Sequence, residues 1–200
     1  AQSSDRAKVP LHSFAVDDTQ AASLRRPDLL FLLAYASMDE AELTAAMGPA
    51  RNDLIRRCET RTMPGFDAGQ RLGFRIRVCP VTRTKNPVHR AAAPDREGRV
   101  KPRELDAFVH ATLAVPPETR LERADVYGRW LQRQVQQNSA CTLGDVRLAE
   151  FRLETMRRRG NARLVRPNVV MEGTLSITDP AAFRRLLVRG VGRHRASDRG

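Results

Sequence analysis

From Gln70 to Cys79 the chain reads QRLGFRIRVC, and its apolar residues Leu72, Phe74, Ile76 and Val78 fall at every second position. Arg71, Arg75 and Arg77 stand between them. Successive side chains of an extended strand point to opposite faces, so the pattern predicts a half-buried strand with an arginine-studded outer face. Such a strand needs a partner strand and a core on one side, which excludes an all-helical fold. Other segments can supply both. Leu29–Tyr35 (LLFLLAY), after Pro27-Asp28, predicts a short buried strand. Thr142–Met156 alternates in part, with Val146, Leu148, Phe151 and Leu153 apolar. Leu164–Ile177 is strand-like on both sides of Pro167-Asn168, a pair that predicts a hairpin turn or a kink.

Helical signals lie between these strands. Val9, Leu11, Phe14 and Ala15 give a weak helical spacing over residues 9–20. Asp39 predicts the N-cap of an alanine-rich helix from Glu40 to Met47, which Gly48-Pro49 ends. Pro102–Leu113 predicts a helix with Pro in its first turn and Leu105, Phe108, Val109 and Leu113 on its apolar face. Arg120–Gln137 predicts a second, with Ala124, Tyr127, Leu131 and Val135 inward. Thr178-Asp179-Pro180 opens a last helix that turns Phe183, Leu186 and Leu187 inward and Arg184 and Arg185 outward, up to Gly190-Val191-Gly192. Strands and helices in this order predict an α+β fold with two small sheets. The polar, proline-bearing stretch 83–99 is the expected linker between residues 1–82 and residues 100–200.

Charge narrows the function. Thirty-five basic against 23 acidic side chains give a net charge of +12, and Lys8, Lys85 and Lys101 are the only lysines. Arginine's planar fork of donors suits bidentate phosphate contact, and the excess predicts a polyanionic partner. Aromatic residues make up 5% of the chain, which favours a reader of a folded nucleic-acid backbone over a stacking-rich single-strand binder. The longest apolar run, Leu29–Ala36, is eight residues, far short of the roughly 20 that span a bilayer. No basic start followed by an apolar stretch marks a signal peptide. Cys58, Cys79 and Cys141 are odd in number and include no C-x-x-C pair, which argues against structural zinc and against a disulfide framework. A cytoplasmic protein without metal, cofactor or membrane association is expected.

Gly190-Val-Gly-Arg-His-Arg195 lacks the preceding strand, the third glycine and the Gly-Lys-Ser/Thr of a nucleotide loop. Paired glycines before Arg193, His194 and Arg195 instead suit close approach to a phosphate chain, although a helix C-cap with a basic tail has the same pattern. Arg157, Arg158 and Arg159, with Arg163, Arg166, Arg184, Arg185 and Arg189, flank the same C-terminal hairpin and helix and predict a groove for duplex phosphates. Among four histidines, His110 sits on a helix that must pack and His89 in the expected linker. His12 and His194 are the two placed where an imidazole could move protons near neutral pH without a metal.

Val170-Met-Glu-Gly-Thr-Leu-Ser-Ile-Thr-Asp-Pro-Ala-Ala-Phe183, Leu186-Leu187 and Gly190–Ala196 together resemble the CasE family, the CRISPR repeat endoribonucleases of type I-E Cascade systems. Gly69–Val78, Arg103–Phe108 and Val126–Leu131 support the resemblance. It implies two tandem ferredoxin-like (RRM-like) domains, joined here through residues 83–99. It also implies metal-independent cleavage at the 3′ base of the repeat stem-loop, by attack of a ribose 2′-hydroxyl on the adjacent phosphate. The products would be a 2′,3′-cyclic phosphate and a 5′-hydroxyl, with the enzyme staying bound as the subunit that caps the crRNA 3′ hairpin in Cascade. Partners would be the repeat RNA, the mature crRNA and other Cascade subunits, with target DNA met only through the complex. The resemblance implies a catalytic histidine on the first helix, which Leu11-His12 matches, and RNA contacts from the glycine loop at Gly190 and Gly192 with Arg193, His194 and Arg195. Arg184, Arg185 and Arg157–Arg159 are the further candidates for RNA contact. The family's tyrosine before that histidine has no counterpart here, which leaves a catalytically silent capping subunit as the alternative. A basic RNA-binding module of another family is a third reading. The family's first strand and its closing aromatic-glycine segment are not found either, so further segments are expected, and an intact mass above 22.4 kDa would show them.

Overall fold

The computed structural model describes residues 13–16, 32–36, 38–47, 58–84, 103–137, 139–157 and 163–192. The chain clusters into two compact units, residues 1–66 with 184–190 and 195–200, and residues 67–183 with 191–194.

In the first unit, β1 (Ser13–Val16) pairs antiparallel with β2 (Leu32–Tyr35), Ser13 opposite Tyr35 and Val16 opposite Leu32. A strand therefore stands at 13–16, where the sequence spacing predicts a helix. One short stretch of weak helical period with no cap cannot nucleate a helix against a cross-strand partner. The burial expected for Leu29–Tyr35 also fails, since Leu32 and Leu33 are 51% and 64% exposed. Helix α1 (Glu40–Met47) begins as predicted. Asp39 Oδ1 accepts from the Glu42 N–H at 2.8 Å, and Glu42 Oε2 accepts from the Asp39 N–H at 3.1 Å, a reciprocal capping box. Leu43 is buried.

The second unit is built on a four-stranded antiparallel sheet. Its elements are β3 (Arg71–Val78), β4 (Val81–Thr84), β5 (Arg103–Asp106), α2 (Ala107–Thr112), α3 (Arg123–Gln136), β6 (Cys141–Leu143), β7 (Arg147–Arg157) and β8 (Arg163–Ile177). The long β8 is the sheet's spine. β3 runs along one edge of it, from Arg71 opposite Ser176 to Val78 opposite Val169. β6 and β7 share the other edge, with a bulge between Leu148 and Glu150. β4 and β5 form a separate two-stranded sheet. The predicted alternation in β3 holds along its whole length, with Leu72, Phe74, Ile76 and Val78 less exposed than their neighbours.

Helix α3 packs on α2, β6 and β7. Val126, Tyr127, Trp130, Leu131 and Val135 of α3 are buried, as are Val169, Met171, Leu175 and Ile177 of β8. The predicted face is therefore corrected. Ala124 is exposed, and Val126 and Trp130 join the core because the helix is covered on more than one side.

Two further expectations change. Pro102–Leu113 is not one helix, because Arg103–Asp106 pairs with β4 as a strand and α2 starts only at Ala107, where Asp106 Oδ1 accepts from the Phe108 N–H at 2.8 Å. Pro167-Asn168 makes no hairpin turn, because β8 runs unbroken through it with Pro167 opposite Leu153. Here β8 has β7 on one side, while its pairing with β3 extends only from Val169 to Ser176, so a missing N–H interrupts no second ladder. Arg83 and Thr84, expected to open the linker, lie in β4. The rest of that linker lies outside the described residues. Helix α4 (Pro180–Arg189) starts as predicted, with Asp179 Oδ1 accepting from the N–H groups of Ala181 and Ala182 at 2.8 and 3.0 Å and Pro180 in the first turn. The class is α+β, as the sequence implies, but the described residues form three sheets, all antiparallel, where two small sheets are expected, because β4 and β5 pair apart from the main sheet.

Candidate nucleic-acid interface

The outer face of the β3–β8–β7 sheet carries the arginines that first drew attention to β3. Opposite charges face one another across its strands, which is the stabilising arrangement for cross-strand neighbours. Arg75 binds Glu172 and reaches Glu150 at 2.6 Å, and Arg147 Nη2 meets Glu172 at 2.5 Å. Arg77 donates to Asn168 Oδ1 at 2.9 Å, and Asn168 in turn donates to Glu154. Beside this network lies an open depression of about 510 Å³ lined by Gly73, Phe74, Arg75, Arg147, Glu172, Gly173 and Thr174. Arg75 and Arg147 are thus matched by carboxylates, and an RNA phosphate would have to displace a glutamate to use either of them.

Less committed arginines stand elsewhere. Arg184 and Arg185 lie exposed on α4 and make no ion pair with another described residue. The backbone of β7 ends at Arg157 directly opposite Arg163, the first residue of β8, so the ribbon brings two arginines together at one end. Arg158 and Arg159 lie outside the described residues, as do His12, Arg193, His194 and Arg195.

The glycine pair is well defined. Gly190 has φ +68° and Gly192 φ +83°, both in the left-handed region that favours glycine. The Gly190 N–H donates to Leu186 O at 2.8 Å, closing α4. Of the two expected readings of the pair, the helix C-cap is the one observed, at Gly190. The ring of Trp130 stands against Gly192, and a Cβ built there would lie 2.9 Å from Cη2 and 3.2 Å from Cζ2. Sequence reading missed Trp130. The available signal was a lone tryptophan within Val126–Leu131, a segment that carries part of the family resemblance.

Among the described residues no three His, Cys, Asp or Glu side chains gather as a metal site needs. Burial pushes the Cys79 and Cys141 thiols up from their ordinary value, which keeps them protonated near neutral pH and poor as nucleophiles. No described helix is long and apolar enough to cross a membrane.

The described residues thus form an antiparallel α+β fold with arginines on the outer face of its main sheet and a capped helix closed by positive-φ glycines. The family model described as "CRISPR associated protein" matches residues 14–200, and the chain belongs to that family. No curated protein matches the chain. A structure of CRISPR endoribonuclease Cse3 bound to a 19-nucleotide RNA is similar at 19% identity and a TM-score of 0.51, covering 90% of this chain and 77% of that one. Cas6e from Escherichia coli K-12 is 22% identical, with a TM-score of 0.48, covering 68% of this chain and 61% of that one. Thermus thermophilus Cse3, bound to an RNA representing a pre-cleavage complex, is 22% identical with a TM-score of 0.45, covering 68% of this chain and 53% of that one. The chain thus spans less than two thirds of the length of these last two relatives.

Proposed function

We propose that the protein is a metal-independent endoribonuclease of CRISPR RNA maturation. It binds the repeat stem-loop, cuts the precursor at the stem's 3′ base, and stays bound as the subunit capping the crRNA 3′ hairpin of Cascade. The reading is supported above all by one conjunction: the loop that carries the family resemblance holds Gly190 and Gly192 at positive φ immediately before Arg193-His194-Arg195. Its partners are the repeat RNA, the mature crRNA and other Cascade subunits, and it works in the cytoplasm. RNA contacts come from Arg193, His194 and Arg195, then Arg184 and Arg185, with Arg157 at the end of β7 and Arg158 and Arg159 after it in the sequence. In the chemical step the ribose 2′-hydroxyl gives up its proton and its oxygen bonds to the adjacent phosphorus. The P–O5′ bond breaks, and the 5′ oxygen takes a proton. His12 supplies or accepts one of these protons, and arginine stabilises the charge on the phosphate oxygens.

The test is cleavage of the organism's own repeat RNA in EDTA, beside a substrate with 2′-deoxyribose at the scissile position. Cutting of the first and none of the second is the expected result; cutting of the deoxy substrate overturns the mechanism. Binding should also be strongly salt-dependent. With six to ten phosphate contacts, hairpin affinity is expected to fall by about 10³–10⁵ between roughly 50 and 200 mM salt. A flat titration by fluorescence anisotropy would remove the phosphate groove.

The fold reading carries a prediction too. With a ferredoxin-like half on either side of the polar stretch that follows β4, limited proteolysis is expected to cut between 85 and 99 first. The two fragments should then co-elute on gel filtration, because β3 is laddered to β8 over eight paired positions. Fragments that separate without denaturant would contradict this. A second reading, the catalytically silent capping subunit, is favoured by one observation: residues 13–16, next to His12, form a strand rather than the helix on which the catalytic histidine was expected.

A further inference from the structure

We infer that Trp130 is a positioning residue for RNA binding, whose ring edge sets the backbone of Gly192, the residue from which Arg193-His194-Arg195 continues. The inference rests on the reading of that loop as an RNA contact.

The ring is buried and fixed by a hydrogen bond. Trp130 lies on α3 and is 3% exposed. Its Nε1–H donates to Val81 O at 3.2 Å, which ties the indole to β4. The adjoining benzo edge of the same ring, Cη2 and Cζ2, is the part that a Cβ at position 192 would meet at 2.9 and 3.2 Å. A Cβ contact under 3.0 Å is one that real structures essentially never show, and a buried indole fixed by a hydrogen bond has no easy rotamer to move into. Gly192 is therefore required twice, once by its φ of +83° and once by the indole edge. Gly69, at φ +82°, has open space around its Cβ position, so the close approach does not follow from backbone conformation alone.

This bracing has a consequence for binding. A loop ordered before the ligand arrives loses less conformational freedom on binding than one ordered by the ligand. Trp130, without touching RNA, would hold Gly192, the residue before the basic tripeptide, at its positive φ.

The experiment uses the full chain and the repeat hairpin RNA, with Kd, single-turnover cleavage rate at saturating RNA, and Tm measured for each variant. Trp130→Phe shortens the ring, withdrawing the edge from Gly192 and the hydrogen bond from Val81. It is expected to raise Kd about tenfold, equivalent to about 1.4 kcal/mol, while the saturated rate stays within about twofold. Gly192→Ala is expected to raise Kd by at least as much. In the double variant the shorter ring makes room for the new methyl group, so the two effects should combine to less than their product, as they do for residues in contact. Trp130→Phe with an unchanged Kd and a lowered Tm would reduce the residue to a core role and overturn the inference, as would fully multiplicative effects. Should Trp130→Phe not fold, Gly192→Ala decides alone, and an unchanged Kd there overturns it. Arg193→Ala with Arg195→Ala separates the two levels: if that pair leaves Kd unchanged, the loop is not an RNA contact and the underlying reading fails first.

Discussion

His12→Ala is expected to slow cleavage of the repeat RNA in EDTA by about 10²–10⁴-fold, the usual contribution of a positioned general acid or base. Hairpin affinity should change little, because one imidazole carries none of the arginine charge proposed to bind phosphate. Proton transfer by an imidazole makes the rate depend on pH, and the variant's residual rate should lose that dependence. Cleavage that survives His12→Ala with its pH profile intact would move the proton transfer to His194 or to another group. Wild-type protein that binds the hairpin tightly and never cuts would establish the capping reading instead. The strand at Ser13–Val16 makes this the decisive comparison, since it puts His12 immediately before a paired strand.

The parts of the fold legible in the sequence were those decided by local chemistry. β3 was legible because one face is covered and the other is not, so its period of two is written directly in Leu72, Phe74, Ile76 and Val78. The starts of α1 and α4 were legible because Asp39 and Asp179 cap them through side chains two or three residues from their partners. What was not legible depends on residues distant in the chain. Arg103-Glu-Leu-Asp106 has no strand pattern of its own and becomes β5 because β4 is there to pair with it. Pro167 looks like a turn and lies in a strand because β7 holds that stretch. Trp130 looks like one more apolar position on a helix. Its importance lies in meeting Val81 and Gly192, 49 residues before it and 62 after, a meeting that no spacing rule encodes. For the interface the limit is the same: counting arginines located the basic segments, but not which of them carboxylates already hold. Glu150 and Glu172 hold Arg75. The same count gives no such answer for Arg184 and Arg185.

Tyr127→Ala is expected to be among the most destabilising single changes in the second unit. The side chain is 0% exposed, and its hydroxyl donates to Asp106, within 3.0 Å of both carboxylate oxygens, while accepting from Arg123 Nη1 at 2.9 Å. Arg123 itself lies over the rings of Phe108 and Phe151, at 4.1 and 4.3 Å from their centres, so α2, α3, β5 and β7 meet at this one phenol. Truncating a buried aromatic residue costs about 3–5 kcal/mol, which for a chain of this size lowers Tm by roughly 6–20 °C. A Tm within about 2 °C of wild type would show that the cluster contributes little. Tyr127→Phe keeps the ring and removes only the hydroxyl, at a cost of about 1–3 kcal/mol. Burial, and then the Asp106 carboxylate, raise the phenol above its ordinary value near 10. The folded state therefore keeps the neutral phenol while the unfolded chain ionises it near pH 10. The stability this group supplies is complete below about pH 10 and is lost as the pH climbs beyond it. Wild-type Tm should accordingly fall more steeply than that of Tyr127→Phe in alkaline buffer. The two α3 aromatics then part in their readouts. At 20 °C Tyr127→Phe should leave hairpin affinity near wild type while lowering Tm, whereas Trp130→Phe, three residues along the same helix, should weaken affinity because its ring edge meets Gly192.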